Sequence, residues 1–367
     1  LVQQQRNQAA GSAQHGRRRG SAGDPPNEGP RRGHKAQRAV ARAPETKQSA
    51  TFWRGSADDP PRARPPGPRG VGRTHTHTHT NTTTNLPQAG MLFVMGATGR
   101  MGGAVLRHAP CPTRAGTRSG APVAAATESV RFDLDAPDTH DAALAGCETI
   151  FLMRPPQAVK RAPFTALMQS AVRAGVAHVV CASVYGAGDS SVLPHRHMEA
   201  AVRESGLAWT FLRPADFMQN LADVHGERIR SDSEITVPAG KGLSAFVDVD
   251  DIGRACASIL SSPVRHAGKA YDITGPAALS FDDVADTLTR VLGRRIAYRP
   301  AWTLLYVLDE VRRGRPAMMA VVMAVLYTVQ RRGKAAPVCG DLMTLIGTDG
   351  GDLASYVERE RAAFVPA

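Results

Sequence analysis

Acidic side chains are scarce in the first quarter of this 367-residue chain, where residues 1–90 hold 15 Lys and Arg against 5 Asp and Glu. Ten of the twelve excess positive charges therefore sit in that stretch, and residues 91–367 carry a net charge of only +2. A basic chain points to nucleic acid or a membrane surface as partner. Here that argument reaches no further than residue 90, so nucleic acid is a disfavoured partner for the remainder. Cysteine is also sparse: Cys111, Cys147, Cys181, Cys256 and Cys339 are scattered, with no C-x-x-C pair. That excludes a disulfide framework and a zinc spacing, and fits buried thiols in a reducing compartment. No apolar run reaches the roughly 18 residues that span a bilayer. The longest, 317–329, is followed by Arg331 and Arg332 and reads as a buried helix. A cytoplasmic protein without a membrane partner is expected.

Residues 1–90 form a basic, low-complexity extension rich in Arg, Pro, Gly, Thr and Ser. Such a segment buries too little apolar surface to offset its ordering entropy, so disorder is expected throughout. The run Thr74-His75-Thr76-His77-Thr78-His79-Thr80 has the composition of a histidine metal ladder, but low-complexity sequence is the favoured reading, and no metal site is assigned. The acid-poor composition suits a transit peptide, whereas the Pro and Gly content opposes the amphipathic helix that one needs. Residue 1 is Leu, and the first methionine, Met91, stands directly before an apolar run. An upstream reading-frame extension is therefore the simplest expectation for this segment.

From Met91 onward, short apolar runs alternate with helical patterns, the signature of a parallel sheet wrapped by helices. Strands are expected at 91–95, 113–118, 129–132, 148–153, 178–183, 209–213, 235–237, 245–249 and 270–274. Helices are expected at 100–108, 137–145, 163–174, before Gly206, from about Asp216, and at 251–261. Ser280 with Asp283 three residues later is a capping box that opens a helix through Val291. The expected architecture is a doubly wound parallel Rossmann sheet over 91–300 with a smaller C-terminal substrate lobe. A helical segment over 301–367 completes it.

The first strand runs into Gly96-Ala97-Thr98-Gly99-Arg100-Met101-Gly102. Glycine at every third position allows a tight turn, close approach of backbone to a pyrophosphate, and close helix packing. The helix beyond offers free N–H groups and a positive dipole end. A reader of NAD(H) places an acid after the second strand to bond the ribose 2′-OH. Here Arg118 stands there, a bidentate partner for a 2′-phosphate, so NADP(H) is favoured over NAD(H). Asp133, after the third strand, suits either the adenine amino group or a cap on the following turn. Asp248, Asp250 and Asp251 fall at a strand-to-helix junction, where capping explains them better than metal binding.

The chain resembles the NmrA-like branch of the atypical short-chain dehydrogenases. The resemblance rests on the glycine motif, on Phe151-Leu152-Met153-Arg154-Pro155-Pro156, and on Pro194-His195-Arg196-His197-Met198-Glu199. It extends through Thr210-Phe211-Leu212-Arg213-Pro214, Phe217-Met218-Gln219-Asn220 and Phe246-Val247-Asp248-Val249-Asp250-Asp251-Ile252. It implies a seven-strand sheet, with Met153, Arg154 and Pro155 against the cofactor. It places the segment from Ser183 to Tyr185 near the nicotinamide. The Leu-Arg-Pro and Phe-Met-Gln-Asn segments would border the substrate cleft.

Ordinary short-chain dehydrogenases use Tyr-x-x-x-Lys, in which the ammonium lowers the phenol pKa. This chain lacks the pair: Asp189 stands four residues after Tyr185, and the only lysines beyond residue 90 are Lys160, Lys241, Lys269 and Lys334. His195 and Glu199 lie i, i+4 on a helix face. The resemblance implies that this pattern replaces the tyrosine–lysine pair, with Glu199 fixing the tautomer of a proton-donating His195. An ordinary helix-surface pair fits the same spacing. The leading expectation is an NADPH-dependent oxidoreductase that delivers hydride to a small apolar electrophile such as a quinone, enone or imine. A non-catalytic NADP(H)-binding redox sensor is the alternative, kept open by the missing Tyr-x-x-x-Lys.

Overall fold

The computed structural model describes residues 90–366 apart from 189, 191, 192, 334 and 336. The disorder expected for the N-terminal extension, and its Thr/His run, lie outside the described residues. Nine strands are β1 (Met91–Met95), β2 (Thr113–Thr117), β3 (Glu128–Arg131), β4 (Cys147–Met153), β5 (His178–Ala182), β6 (Ala208–Pro214), β7 (Glu234–Val237), β8 (Lys269–Ile273) and β9 (Ala297–Pro300). The helices over the Rossmann part are α1 (Arg100–His108), α2 (His140–Leu144), α3 (Ala162–Arg173) and α4 (His195–Glu204). There follow α5 (Gln219–Asp223), α6 (Gly226–Asp232), α7 (Val249–Ser261), α8 (Pro263–His266) and α9 (Phe281–Leu292). The chain ends in α10 (Thr303–Arg312), α11 (Ala317–Arg331), α12 (Asp341–Ile346) and α13 (Leu353–Arg359).

Seven strands form one parallel sheet in the order β3-β2-β1-β4-β5-β6-β8. Its two faces follow from the period-2 alternation of strand side chains. Leu92 and Val94 of β1, with Phe151, Val180 and Leu212, point to the layer holding α1, α7 and α12. Phe93 and Met95, with Ile150, Leu152, Val179 and Cys181, point to the layer of α2, α3 and α4. The central strands are buried on both sides, which is why they read as continuous apolar runs. Cys147, Cys181 and Cys256 are buried, and all five thiols are free.

A third apolar cluster makes the smaller lobe, gathering Met218, Ile229, Ile235, Phe281, Tyr306, Tyr327 and Tyr356 from α5 to α13. At its heart β7 and β9 pair in parallel as a separate two-stranded sheet. The expected strand at 245–249 does not form. Val247 makes a single bridge to Phe217 and Ser244 one to Leu279, and from Val249 the chain is already helical. The cap explains the early turn: the Asp248 carboxylate accepts from the Asp250 N–H at 2.9 Å, which starts α7 there. The Ser280–Asp283 capping box is present with both of its hydrogen bonds.

α11 departs from its sequence reading. Ala320, Met323, Ala324, Tyr327 and Gln330 are buried against the lobe, but Met318, Val321, Val322, Val325, Leu326 and Val329 are exposed. Periodicity could not separate a helix buried all round from one with a bare apolar face.

Candidate active site

The sheet order reverses between β1 and β4, and ligands of open α/β sheets sit at such a reversal beyond the carboxyl ends of the strands. The glycine turn occupies that place. Gly96 has φ +72°, a left-handed conformation, and a Cβ on it would collide with the Met153 sulfur at the end of β4. A Cβ on Gly102 would run into the Gly96 carbonyl, a backbone group with little freedom to move away. The turn closes through Gly99 N–H donating to the Gly96 carbonyl (2.9 Å), and α1 follows with Gly103 N–H donating to Gly99 (2.8 Å). Gly99 caps α1 without a side chain, and the first turn holds no acid, so its leading N–H groups stay available to an anion. The residues present thus fit a pyrophosphate.

The guanidinium of Arg100 is held by carboxylates. It donates to Asp223 at 2.7 and 3.2 Å and lies 3.7 Å from Glu360. An open crevice of about 490 Å³ runs along this side of the turn, lined in part by Thr98, Gly99, Gln219, Asp248 and Arg359. Gln219 donates to Asp248 (2.7 Å) and accepts from the Val249 N–H (3.0 Å), while Arg359 donates to the other Asp248 oxygen (2.6 Å). The helix α13 is thereby tied to the start of α7. No motif announced this, since the contact spans more than a hundred residues.

On the side of β1 away from β4, β2 stops at Thr117, and Arg118 is exposed. Thr117 pairs with Arg131, the last residue of β3, which brings a second exposed arginine to the same sheet corner. Among the described residues neither guanidinium makes a hydrogen bond or an ion pair. Arg131 was not singled out from the sequence, where a terminal strand arginine looks like any surface charge. Asp133 caps its own turn, one oxygen accepting from the Asp135 N–H at 3.1 Å.

The exits of β4, β5 and β6 lie on the opposite side of β1 from β2. Ser183 N–H donates to Leu212 (2.8 Å) and Tyr185 N–H to Pro214 (2.9 Å), so the segments after β5 and β6 run side by side. Arg154 crosses to them. Its Nη1 donates to the carbonyls of Pro155, Pro156 and Ala158, and its Nε donates to His195 Nε2 at 3.3 Å. No carboxylate faces Arg154 among the described residues, and burial lowers its pKa. With Nε2 accepting, the His195 proton belongs on Nδ1, which is buried without a partner. Burial first, and the Arg154 charge second, push His195 down to about 4, so the ring is neutral at pH 7.

This arrangement corrects the expected His195–Glu199 pair. Glu199 is fully buried and takes two hydrogen bonds from Arg213, at 3.0 and 2.8 Å, and one from Arg203 at 3.1 Å. Burial alone would raise its carboxyl, but the Arg213 bonds and the positive charges of Arg213 and Arg203 outweigh that and hold it below the usual range. Glu199 therefore clamps α4 to β6, and Arg154 sets the His195 tautomer. The i, i+4 spacing was real, but the buried cation on β6 outcompeted the imidazole for the carboxylate. Two residues past β6 stands Asp216, whose carboxylate accepts from the Phe217 N–H (2.9 Å) and from Asn220 (2.7 Å). Burial raises it to about 6. Asp189 lies outside the described residues.

The fold and this crevice define a Rossmann-type α/β protein with a second lobe closing one side of the strand exits. The NmrA-like family model matches residues 88–332, and the chain belongs to that family. It is 32% identical over 292 residues to the NAD(P)H azoreductase of Xenophilus azovorans, covering 75% of this chain and 99% of that one. In fold it is similar to the triphenylmethane reductase of a Citrobacter species complexed with NADP(H) (TM-score 0.65, 24% identity, 73% of this chain and 99% of the other). It is likewise similar to an NADPH-dependent quinone oxidoreductase of Escherichia coli complexed with NADPH (TM-score 0.67, 24% identity, 74% and 100%). Among the described residues no helix is long and apolar enough to cross a membrane, and no cluster of metal-binding side chains occurs.

Proposed function

We propose that the chain is an NADPH-dependent reductase of small, apolar, hydride-accepting substrates, with quinones, enones, imines and azo compounds as the chemical class. The observation that carries the reading is the uncapped glycine turn at the sheet reversal, with two unpaired arginines at the corner where a 2′-phosphate would lie. The family and the names of the relatives support it. In this reading Gly96 to Gly102 hold the pyrophosphate, Arg118 and Arg131 clamp the 2′-phosphate, and Asp133 with its turn borders the adenine. Met153, Arg154, Pro155 and Ser183 border the nicotinamide end.

A reduced nicotinamide, when bound, supplies the hydride. The chain's own residues supply placement and a proton. The neutral His195 ring holds a buried Nδ1–H without a protein partner, the donor its tautomer leaves for an acceptor atom on which negative charge develops, as a neutral imidazole does when its pKa is held down. Asp216, two residues past β6, is a second group able to hold a proton near neutral pH. Tyr185 borders the same space but has no lysine to lower its phenol. Clamped between Arg213 and Arg203, Glu199 acts only by positioning α4.

The test is turnover by the purified full chain with a panel of a para-quinone, an azo dye and an α,β-unsaturated ketone. The reading expects NADPH oxidation with at least one of them, and His195→Gln should lower kcat about 10- to 100-fold with little change in KM. Cofactor binding without turnover on any acceptor would instead favour the redox-sensor reading.

A further inference from the structure

The helical hairpin of α10 and α11 turns an apolar face away from the lobe it rests on. Trp302 (78% exposed), Leu304 (70%), Leu308 and Val311 show on one helix, and Met318 (75%), Val322, Val325 (55%) and Val329 on the other. Leu304, Leu308 and Val311 are spaced by four and three residues, and Met318, Val322, Val325 and Val329 by four, three and four. Each is the seam of a helix that docks on another helix. The buried seams, centred on Tyr306 and Tyr327, lie on the opposite sides of the same two helices. This hairpin is thus apolar front and back, and only the back is covered.

The bare side chains of the pair amount to roughly 1,000 Å² of apolar surface, well above the few hundred a monomer tolerates and above the ~800 Å² per partner of a standard interface. Charges are absent from the middle of the face. Arginines sit only at its ends, where Arg313 is tied to Asp232 and Asp309. The face is rich in valine, whose β-branched side chain is nearly fixed in a helix. Stiff knobs at seam positions suit packing against a second helical layer, where little rotamer entropy is left to lose. An antiparallel two-helix layer is itself half of a four-helix bundle.

We infer that the exposed α10–α11 face is a twofold dimer contact, in which the hairpin of one protomer stacks on the hairpin of a second copy to complete a four-helix layer. The contact is isologous, so one substitution enters it twice.

Sedimentation equilibrium of the full chain at micromolar concentration tests the assignment, comparing wild type with Val325→Glu and Val322→Glu. A control, Val264→Glu, changes a valine that is 89% exposed on α8, outside the face. The expected result is a wild-type and control dimer, and at least about a hundredfold weaker association for each seam variant, with circular dichroism and Tm retained. Because Val325 and Val322 are already exposed in the single chain, folding should survive the change. A monomeric wild type overturns the inference, as does a seam variant that remains a dimer. So does a wild-type monomer that co-sediments through this face with phosphatidylcholine–phosphatidylserine vesicles, since the face would then belong to lipid.

Discussion

The Rossmann sheet and the C-terminal helical hairpin are built from equally apolar segments, yet they use their apolarity differently. β1, β4 and β5 are apolar on both sides because helices cover both faces of the sheet. α11 is apolar on both sides with one side uncovered. The sheet half carries a site whose parts hold one another in place, with Arg154 on His195, Arg213 on Glu199 and Gln219 on Asp248. In the hairpin a single layer of contacts joins the helices to the lobe. Rigidity around the strand exits is what chemistry needs, whereas an uncovered face is what association needs.

The largest effect that would break this contrast is expected at the turn. Gly102→Val places a side chain where the Gly96 carbonyl stands, so NADPH binding should fall by more than about a hundredfold while the full chain keeps its circular dichroism signal. Retained binding would show that the turn is not the grip. Next comes Glu199→Ala, which removes the buried carboxylate that accepts from Arg213 and Arg203. Removal of one partner of such a pair costs about 3–5 kcal/mol, readable as a lowered urea midpoint. Breaking the exposed ion pair of Arg173 and Asp141 should barely move the same midpoint.

A smaller effect is expected from acid. His178 and His195 are held near 4 and His225 near 3, each chiefly by burial. Folded-state values below the unfolded value of about 6.5 mean that the unfolded chain binds protons first as pH falls. Their contribution to stability is complete above about pH 6.5 and drains away toward pH 4. Asp216 works in the other direction. Its folded value near 6 lies above its unfolded one, so it stabilises most at low pH, loses that contribution as pH rises through 6, and offsets part of the histidine loss. Denaturant midpoints measured from pH 7 to pH 4.5 should decline steadily, and a flat profile would contradict the burial of these rings. The smallest effect is Arg154→Met. It removes the positive charge beside His195 and should raise the histidine value by less than a unit, visible as a shifted imidazole titration by NMR.

The same contrast explains what the sequence disclosed. The glycine turn, the continuous runs of β4 and β5, and the caps at Asp248 and Ser280 were legible because each is a local device that ordinary backbone chemistry demands. The family followed from several such devices in order. Long-range choices were not legible. β9, with the residues Ala-Tyr-Arg-Pro, shows no strand alternation and exists because β7 offers it an edge. Glu199 shares a helix face with His195 but is drawn to an arginine on β6. Arg131 reaches the arginine corner only through its register with Thr117, and Arg359 reaches the crevice only through the packing of α13. The sequence showed that α11 was apolar and could not show how much of it would be covered.

The central claim is that the glycine turn and the arginine corner together hold NADP(H). Titration calorimetry of the full chain with NADPH and NADH, for wild type and for the Arg118→Ala, Arg131→Ala double variant, tests it most directly. Wild type should bind NADPH at least about tenfold more tightly than NADH, and the double variant should bring NADPH affinity down to the NADH level. Equal affinities in wild type, or no heat with either nucleotide, would contradict it.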